Sequence, residues 1–426
     1  MEQRNLLQAA EKYLPGACLG AMALPKNLRM VMTHGKGSKI YDTKSKEYID
    51  YVLGSGPLLL GHSHPEVVEA VREQVGKGAT FYALNEPAIN LAEVMVDAVP
   101  CAEAIRFQTT GSEATFAATR LARAWTGNDK ILKFEGSFHG GHDLGQLSGH
   151  PTDSPPFPNA SFDCDGIPEA SRQDVLVAPF NDANAAQSTI QHFRDRIAAV
   201  IVEPLQRTLM PEPKFLERIR EVTQALSIPL IFDEVVTGFR LAWGGAQERY
   251  GVVPDLACYG KVIGGGYALS AVLGKKEILE CADPNAKLTR CFLGGTLTGN
   301  PIACTAGLKT LEILNRPGTY ERLEEIGSHL REDIRQMGIQ LDVPLQVLGD
   351  GPILQTYFVD PAVPLKSHRD LLKADKKKAL QFSHTLIRRG IYCTPSGKMY
   401  ASLAHSDDDI DRTLDVVKKT LRGMKK

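Results

Sequence analysis

Pro229-Leu230-Ile231-Phe232-Asp233-Glu234 is an apolar run that stops on two carboxylates. Apolar residues at successive positions bury both faces of a strand, the mark of a parallel sheet covered on both sides rather than a half-exposed antiparallel one. Working outward, similar short runs stand at 131–134, 175–178, 198–202, 256–259 and 270–273, and 104–107 is strand-like. Helical segments such as 114–125 and 213–226 lie between several of them. Strands alternating with helices predict an α/β domain with a mainly parallel sheet. Further out, the first 60 residues read as a helix, a loop and an antiparallel hairpin of 38–42 and 47–51 around a turn at 43–46. A helix starts at Pro65 with Val67, Val68, Val71 and Val75 on one face. From about residue 306 the chain becomes helical and charged, then strand-like at 345–348 and 353–358, with a last helix near Asp408. The expected organisation is an N-terminal segment (1–60), a large domain (61–305) and a smaller α+β domain (306–426).

The composition excludes several classes. Of 426 residues, 43% are hydrophobic and 23% charged, ordinary values for a packed globular protein. Lys plus Arg total 49 against 50 Asp plus Glu, so there is no global positive field to draw in nucleic acid or an anionic membrane. No apolar stretch reaches the length of roughly 18 residues that a membrane helix needs. The opening MEQRNLLQAAEKYLPG lacks the apolar run of a signal peptide. Eight scattered cysteines form no CxxC pair and read as reduced thiols of a cytoplasmic protein, which leaves the Asn159-Ala160-Ser161 sequon without meaning.

Ligands of an open α/β sheet sit beyond the carboxyl ends of its strands, so the residues that end the strands carry the chemistry. Asp233 ends one. Another ends at Gly260-Lys261, followed by Val262-Ile263 and three glycines at 264–266, which let backbone or ligand approach closely. Taken alone, Asp233 reads equally as a helix cap and Lys261 as a surface charge. Thr109-Thr110-Gly111-Ser112-Glu113-Ala114 opens a helix, and Gly111 and Ser112 present N–H groups at its positive end, a phosphate cup. The alternative is an ordinary helix start with Ser112 as its cap. Gly294-Gly295-Thr296-Leu297-Thr298-Gly299-Asn300-Pro301 is a hydroxyl-rich turn before a helix. A phosphate cup, a carboxylate and a lysine together are what pyridoxal 5'-phosphate requires: an anchor for the phosphate, a partner that keeps the pyridine nitrogen protonated, and an amine for the Schiff base. His62/His64 and His139/His142 look like metal pairs, but spacing supplies no third ligand and no metal is expected. No GxxxxGK[ST] loop is present.

These residues, with Gly54-Ser55-Gly56-Pro57, Gly61-His62-Ser63-His64-Pro65, Phe134-Glu135-Gly136-Ser137-Phe138-His139-Gly140, Glu203-Pro204, Asp233-Glu234-Val235-Val236-Thr237-Gly238-Phe239-Arg240, Gly295-Thr296 and Ala404-His405-Ser406, carry a resemblance over nearly the whole chain. The sequence resembles the class III, fold-type I pyridoxal-phosphate aminotransferases, on the branch around glutamate-1-semialdehyde 2,1-aminomutase. The resemblance implies a seven-stranded, mainly parallel sheet in the large domain and a smaller domain built from the C-terminal part and the N-terminal segment. It implies Lys261 as the Schiff-base lysine and Asp233 as partner of the pyridine nitrogen. Val235 and Phe138 would cover the two ring faces, Gly111 and Ser112 would hold the phosphate, and Gln206 and Glu203 would lie near the ring. Thr296 would reach the phosphate of a neighbouring subunit, making an obligate homodimer with shared sites. Ser55 and Glu86 would face the substrate.

The chain also departs from the aminomutase pattern. Pro15-Gly16 is followed by Ala17-Cys18-Leu19-Gly20-Ala21-Met22-Ala23-Leu24-Pro25, without the arginine that would clamp a substrate carboxylate in that register. The segment Pro395-Ser396-Gly397-Lys398 is shorter and carries a lysine in place of an acid, and the loop at 54–57 lacks its aromatic residue. These losses point to transamination between an amine or amino acid and a 2-oxo acid, with intramolecular amino transfer as the alternative.

Overall fold

The computed structural model describes residues 3–20, 22–151, 154–286 and 290–424; Ala21 of the departing segment lies outside them. They form two compact units, Glu66–Tyr320 with Leu365–Asp370, and Met1–Pro65 with Glu321–Pro364 and Leu371–Lys426. The Pro301–Leu314 helix, expected beyond a boundary at 305, therefore belongs to the larger unit.

The larger unit is built on a seven-stranded sheet in the order Ala104–Gln108, Ser270–Gly274, Leu256–Tyr259, Leu230–Glu234, Ile197–Val202, Lys130–Phe134, Val175–Ala178. Only Ser270–Gly274 runs against its neighbours; the pairs from Leu256–Tyr259 to Val175–Ala178 are parallel. The continuous apolar runs explain this arrangement: all six residues of Ile197–Val202 are buried, as both-face coverage demands. Helix Gly111–Thr126 packs on the sheet through Ala114, Ala117, Ala118, Leu121 and Ala122, against Ile131, Ala199, Ile231 and Cys258. Its alanines let the helix lie close, and each large aliphatic side chain buried opposite contributes about 1.5–3 kcal/mol. The Asp233 strand runs through Glu234, two residues beyond its last apolar residue, because both carboxylates find buried partners.

In the smaller unit, Met32–Lys36, Lys39–Asp42 and Glu47–Asp50 form an antiparallel meander, and Ile391–Tyr392 joins it in parallel. Gln346–Leu348, Ile353–Tyr357 and Lys398–Tyr400 make a second small sheet. Leu330, Ile334, Phe382, Leu386, Val417 and Leu421 bring the helices together into one core. Among the described residues no helix is long and apolar enough to cross a membrane.

Candidate active site

Sheet direction gathers the site. Four adjacent parallel strands end on one edge, carrying Lys261, Asp233, Glu203 and the Glu135–His139 loop respectively. Two successive antiparallel pairings, through Ser270–Gly274, return Ala104–Gln108 to the same direction, so Gly111 and Ser112 also emerge at that edge. Residues separated by up to 150 positions in sequence (261 minus 111) thus converge.

Asp233 is 5% exposed, and its Oδ2 lies 2.7 Å from Nδ1 of fully buried His139, while its Oδ1 accepts the Val235 N–H at 3.2 Å. Burial pushes the Asp233 carboxyl up to about 7, opposed by the Val235 N–H and by the charges of Lys261, Arg207 and Lys133. Burial pushes His139 down to about 3, so its ring is neutral. Glu234, next in the chain, points to the other side of the strand. It is used up by Thr237 and Ala246 on one oxygen and by Gln247 and Tyr259 on the other. Lys261 opens a short 3-10 turn with φ of +49°, a left-handed conformation that costs a non-glycine residue about 1–3 kcal/mol and persists where the surroundings impose it.

The phosphate-cup helix begins at Gly111, and its cap is Thr110, not Ser112: Thr110 accepts the Glu113 N–H at 3.3 Å, and Glu113 accepts the Thr109 N–H at 2.8 Å. This reciprocal box satisfies its own donors and leaves Gly111 and Ser112 in the first turn, where no preceding carbonyl takes their N–H groups. The Ser112 hydroxyl accepts the Gly141 N–H at 2.9 Å. A Cβ on Gly111 would stand 2.8 Å from Cγ1 of Val235, so the helix start and Val235 meet as closely as glycine allows.

Glu203 is buried with both oxygens committed to main-chain N–H groups, Phe138 at 3.0 Å and Arg207 at 2.9 Å; it positions the Phe138 loop. Arg207 donates to the Gly136 carbonyl at 3.1 Å and lies 5.2 Å from the Phe138 ring centroid. The Phe138 ring itself is 42% exposed. Gln206 donates to the Glu135 carbonyl at 2.8 Å and leaves its buried Oε1 without a partner, as is Nε2 of His139. Thr296 is exposed in a turn, with its carbonyl 3.5 Å from the Thr80 hydroxyl. Glu86 is exposed at the first position of helix Glu86–Ala98. Ser55 belongs to the smaller unit, in a turn at φ of +72°. His142 bonds to Thr115 and the Gly145 N–H. Among the described residues no group of three or more His, Cys, Asp or Glu side chains could hold a metal.

The sequence reading did not single out His139 as the partner of Asp233, Arg207 beside Phe138, or Lys133 within the apolar run 131–134. The visible signal was charge inside an apolar strand and a histidine directly after the expected ring-facing aromatic.

The family described as aminotransferase class-III matches residues 22–421. A glutamate-1-semialdehyde 2,1-aminomutase of Methanothermobacter thermautotrophicus is 39% identical over the full length of both chains. The fold is similar to that of an omega-transaminase from Sphaerobacter thermophilus (33% identity, 99% and 97% of the two chains, TM-score 0.93). It is also similar to the FumI protein of Sphingopyxis sp. MTA144 in its PLP internal aldimine form (27% identity, 99% and 96%, TM-score 0.86).

Proposed function

The chain belongs to the class III aminotransferases, and from that premise we propose that it uses pyridoxal 5'-phosphate to move an amino group between carbon atoms of small substrates. The observation that supports this is that Lys261 and Asp233 end two neighbouring parallel strands, with Asp233 in register with Cys258, three residues before Lys261. The surroundings fit the cofactor. Two buried polar atoms, Gln206 Oε1 and His139 Nε2, lack partners. Gly111 lets Val235, and Gly140 lets Ser112, pack at distances that a Cβ would forbid, which holds the expected phosphate and ring contacts close together.

When bound, the cofactor supplies a protonated heteroaromatic ring that draws electrons from the carbon being deprotonated. Asp233 holds the proton on the ring nitrogen, and the neutral His139 orients that carboxylate. The Lys261 amine takes the proton from the substrate carbon and delivers it to the acceptor position. Gly111 and Ser112 bind the phosphate at the helix N-terminus. Phe138 and Val235 confine the ring, with Glu203 fixing Phe138. Glu86 faces the substrate. Thr296 completes the site of a second copy in a homodimer; exposed Phe81, Tyr82, Leu84 and Phe292 in the same unit support such a contact. The cysteines, all free thiols in the structure, support a cytoplasmic setting.

Two finer readings divide on separate observations. The name of the full-length 39% identical relative backs the aminomutase reading, conversion of glutamate 1-semialdehyde to 5-aminolevulinate within one molecule. The missing carboxylate clamp, the lysine at 398 and the fold similarity to a transaminase back exchange with a 2-oxo acid. Glutamate 1-semialdehyde supplied alone decides: formation of 5-aminolevulinate without a second substrate supports the mutase, and a strict need for a 2-oxo acid supports the transaminase. For the shared chemistry, the expected outcome is that purified protein is yellow and that borohydride fixes the cofactor mass on the peptide containing Lys261. Protein that stays colourless with added pyridoxal phosphate ends both readings.

A further inference from the structure

Lys130–Phe134 leads directly into the loop that carries Phe138 and His139, and residues 131–134 are all buried. One of them is a lysine. Lys133 is 0% exposed, and its ammonium donates to two main-chain carbonyls, Ser137 at 3.4 Å and Leu147. Among the described residues no carboxylate lies within ion-pair distance of it. An ammonium removed from water without a carboxylate is strongly disfavoured, so an apolar side chain would serve the strand better if packing were its only task.

Its two acceptors flank the loop: Ser137 immediately precedes Phe138 and His139, and Leu147 lies on the returning segment. Other groups that act on the ammonium are Asp163, Glu203, Arg207 and Asp233, and the ammonium acts in turn on His139 and His142.

We propose that Lys133 is a positioning residue whose enclosed ammonium ties together the loop bearing Phe138 and His139 and biases the adjoining Asp233–His139 pair toward carboxylate and neutral imidazole, ready for a cationic ring nitrogen. A buried cation disfavours protonation of both partners. Its charge lowers the pKa of each, while burial brings Lys133 itself down only to about 8, so it stays charged at neutral pH. Arg207 acts in the same direction but is held at the open side against Phe138. The inference rests on the reading of Asp233 as partner of the cofactor nitrogen.

The test is the affinity of cofactor-free protein for pyridoxal phosphate, followed by fluorescence quenching across pH. Removing the cation in Lys133→Met lets Asp233 hold its proton to a somewhat higher pH, so near pH 7.5 its ionised fraction, and the affinity with it, falls by about 1.5-fold for a shift of about half a unit. The two profiles converge above about pH 9, and Lys133→Arg follows the wild type. A Lys133→Met profile that overlies the wild type, or a loss equal at every pH, overturns the proposal and leaves a loop strap. Should Lys133→Met not fold, the Nζ resonance of Lys133 in wild-type protein decides: titration near 8 supports the enclosed cation, and titration with exposed lysines near 10.5 overturns it. Asp233→Asn separates the layers. If that variant binds the cofactor as the wild type does, the reading of Asp233 fails; if it loses affinity while Lys133→Met does not, only the role of Lys133 falls.

Discussion

Asp233 and Asp255 stand at opposite edges of one sheet, and each is 5% exposed. Asp255 accepts the Leu230 N–H at 2.8 Å and pairs with Arg220 and Lys275, both at 2.7 Å. Burial raises its pKa, but these donors outweigh burial and leave it below the usual carboxylate range. Asp233 has a neutral histidine and a single N–H, and burial carries it up to about 7. Asp233 is also the more deeply enclosed of the two, so its surroundings and its poorer set of donors together carry it the opposite way. The edge where strands begin is closed by charge pairing. The edge where they end keeps an acid met only by a neutral imidazole and one N–H, the kind of perturbed carboxyl that marks a functional site.

The largest break in this comparison is Lys261→Ala. Turnover falls about a thousandfold or more, since the amine that moves the proton is gone, while the thermal midpoint of cofactor-free protein stays near wild type. Full turnover in that variant would remove Lys261 from the site. Asp233→Asn comes next, with an expected loss of about a hundredfold in turnover. Its stability effect has the opposite sign. The folded pKa of about 7 lies above the ordinary 3.8, so Asp233 costs the cofactor-free fold stability as pH rises between them. His139, pushed to about 3 from 6.5, works the other way over nearly the same window and masks that slope. At about pH 8 both transitions are complete, and cofactor-free Asp233→Asn is at least as stable as wild type by urea unfolding. A marked destabilisation there would mean that Asp233 is a structural acid like Asp255.

Asp255→Asn sharpens the contrast from the other side. Arg220 and Lys275 lose their anion, and stability falls by about 2 kcal/mol, a discounted figure because Lys275 is 46% exposed. Turnover per folded molecule stays unchanged. The folded pKa is depressed, so the wild-type contribution is present above the ordinary carboxylate value and disappears as pH falls through the folded one. Urea midpoints for wild type and variant therefore converge in acid.

The sheet was legible because six apolar runs, buried on both faces, and a strand-like edge segment at 104–107 leave few alternatives, and strand direction then fixes which ends share an edge. Asp233 and Lys261 were legible for the same reason: Asp233 directly follows one such run, and Lys261 stands one glycine beyond another. His139 was harder, since it reaches Asp233 from a loop 94 positions earlier and sequence spacing cannot show that closure. Lys133 was read as part of an apolar run because strand pattern reports burial, and a lysine whose charge is met by two loop carbonyls is buried all the same. The domain boundary lay at Tyr320 because the Pro301–Leu314 helix is apolar nearly all round, with nine of its residues buried, and so belongs to the larger core.

The smallest expected effect concerns the phosphate-cup helix, where the sequence suggested Ser112 as cap and the structure uses Thr110. If Thr110 holds the helix start and Ser112 is kept for the ligand, the two hydroxyls separate in experiment. Thr110→Ala loses the bond to the Glu113 N–H, which costs about 1 kcal/mol of stability, and changes phosphate-cofactor affinity by less than about twofold. Ser112→Ala keeps the cap, unfolds at nearly the wild-type urea concentration, and weakens that affinity several-fold, because the hydroxyl that anchors the Gly141 N–H is gone and the cup loosens. The reverse pattern, with Ser112→Ala destabilising the fold and leaving affinity alone, would make Ser112 an ordinary helix start and move the anion site elsewhere on this edge.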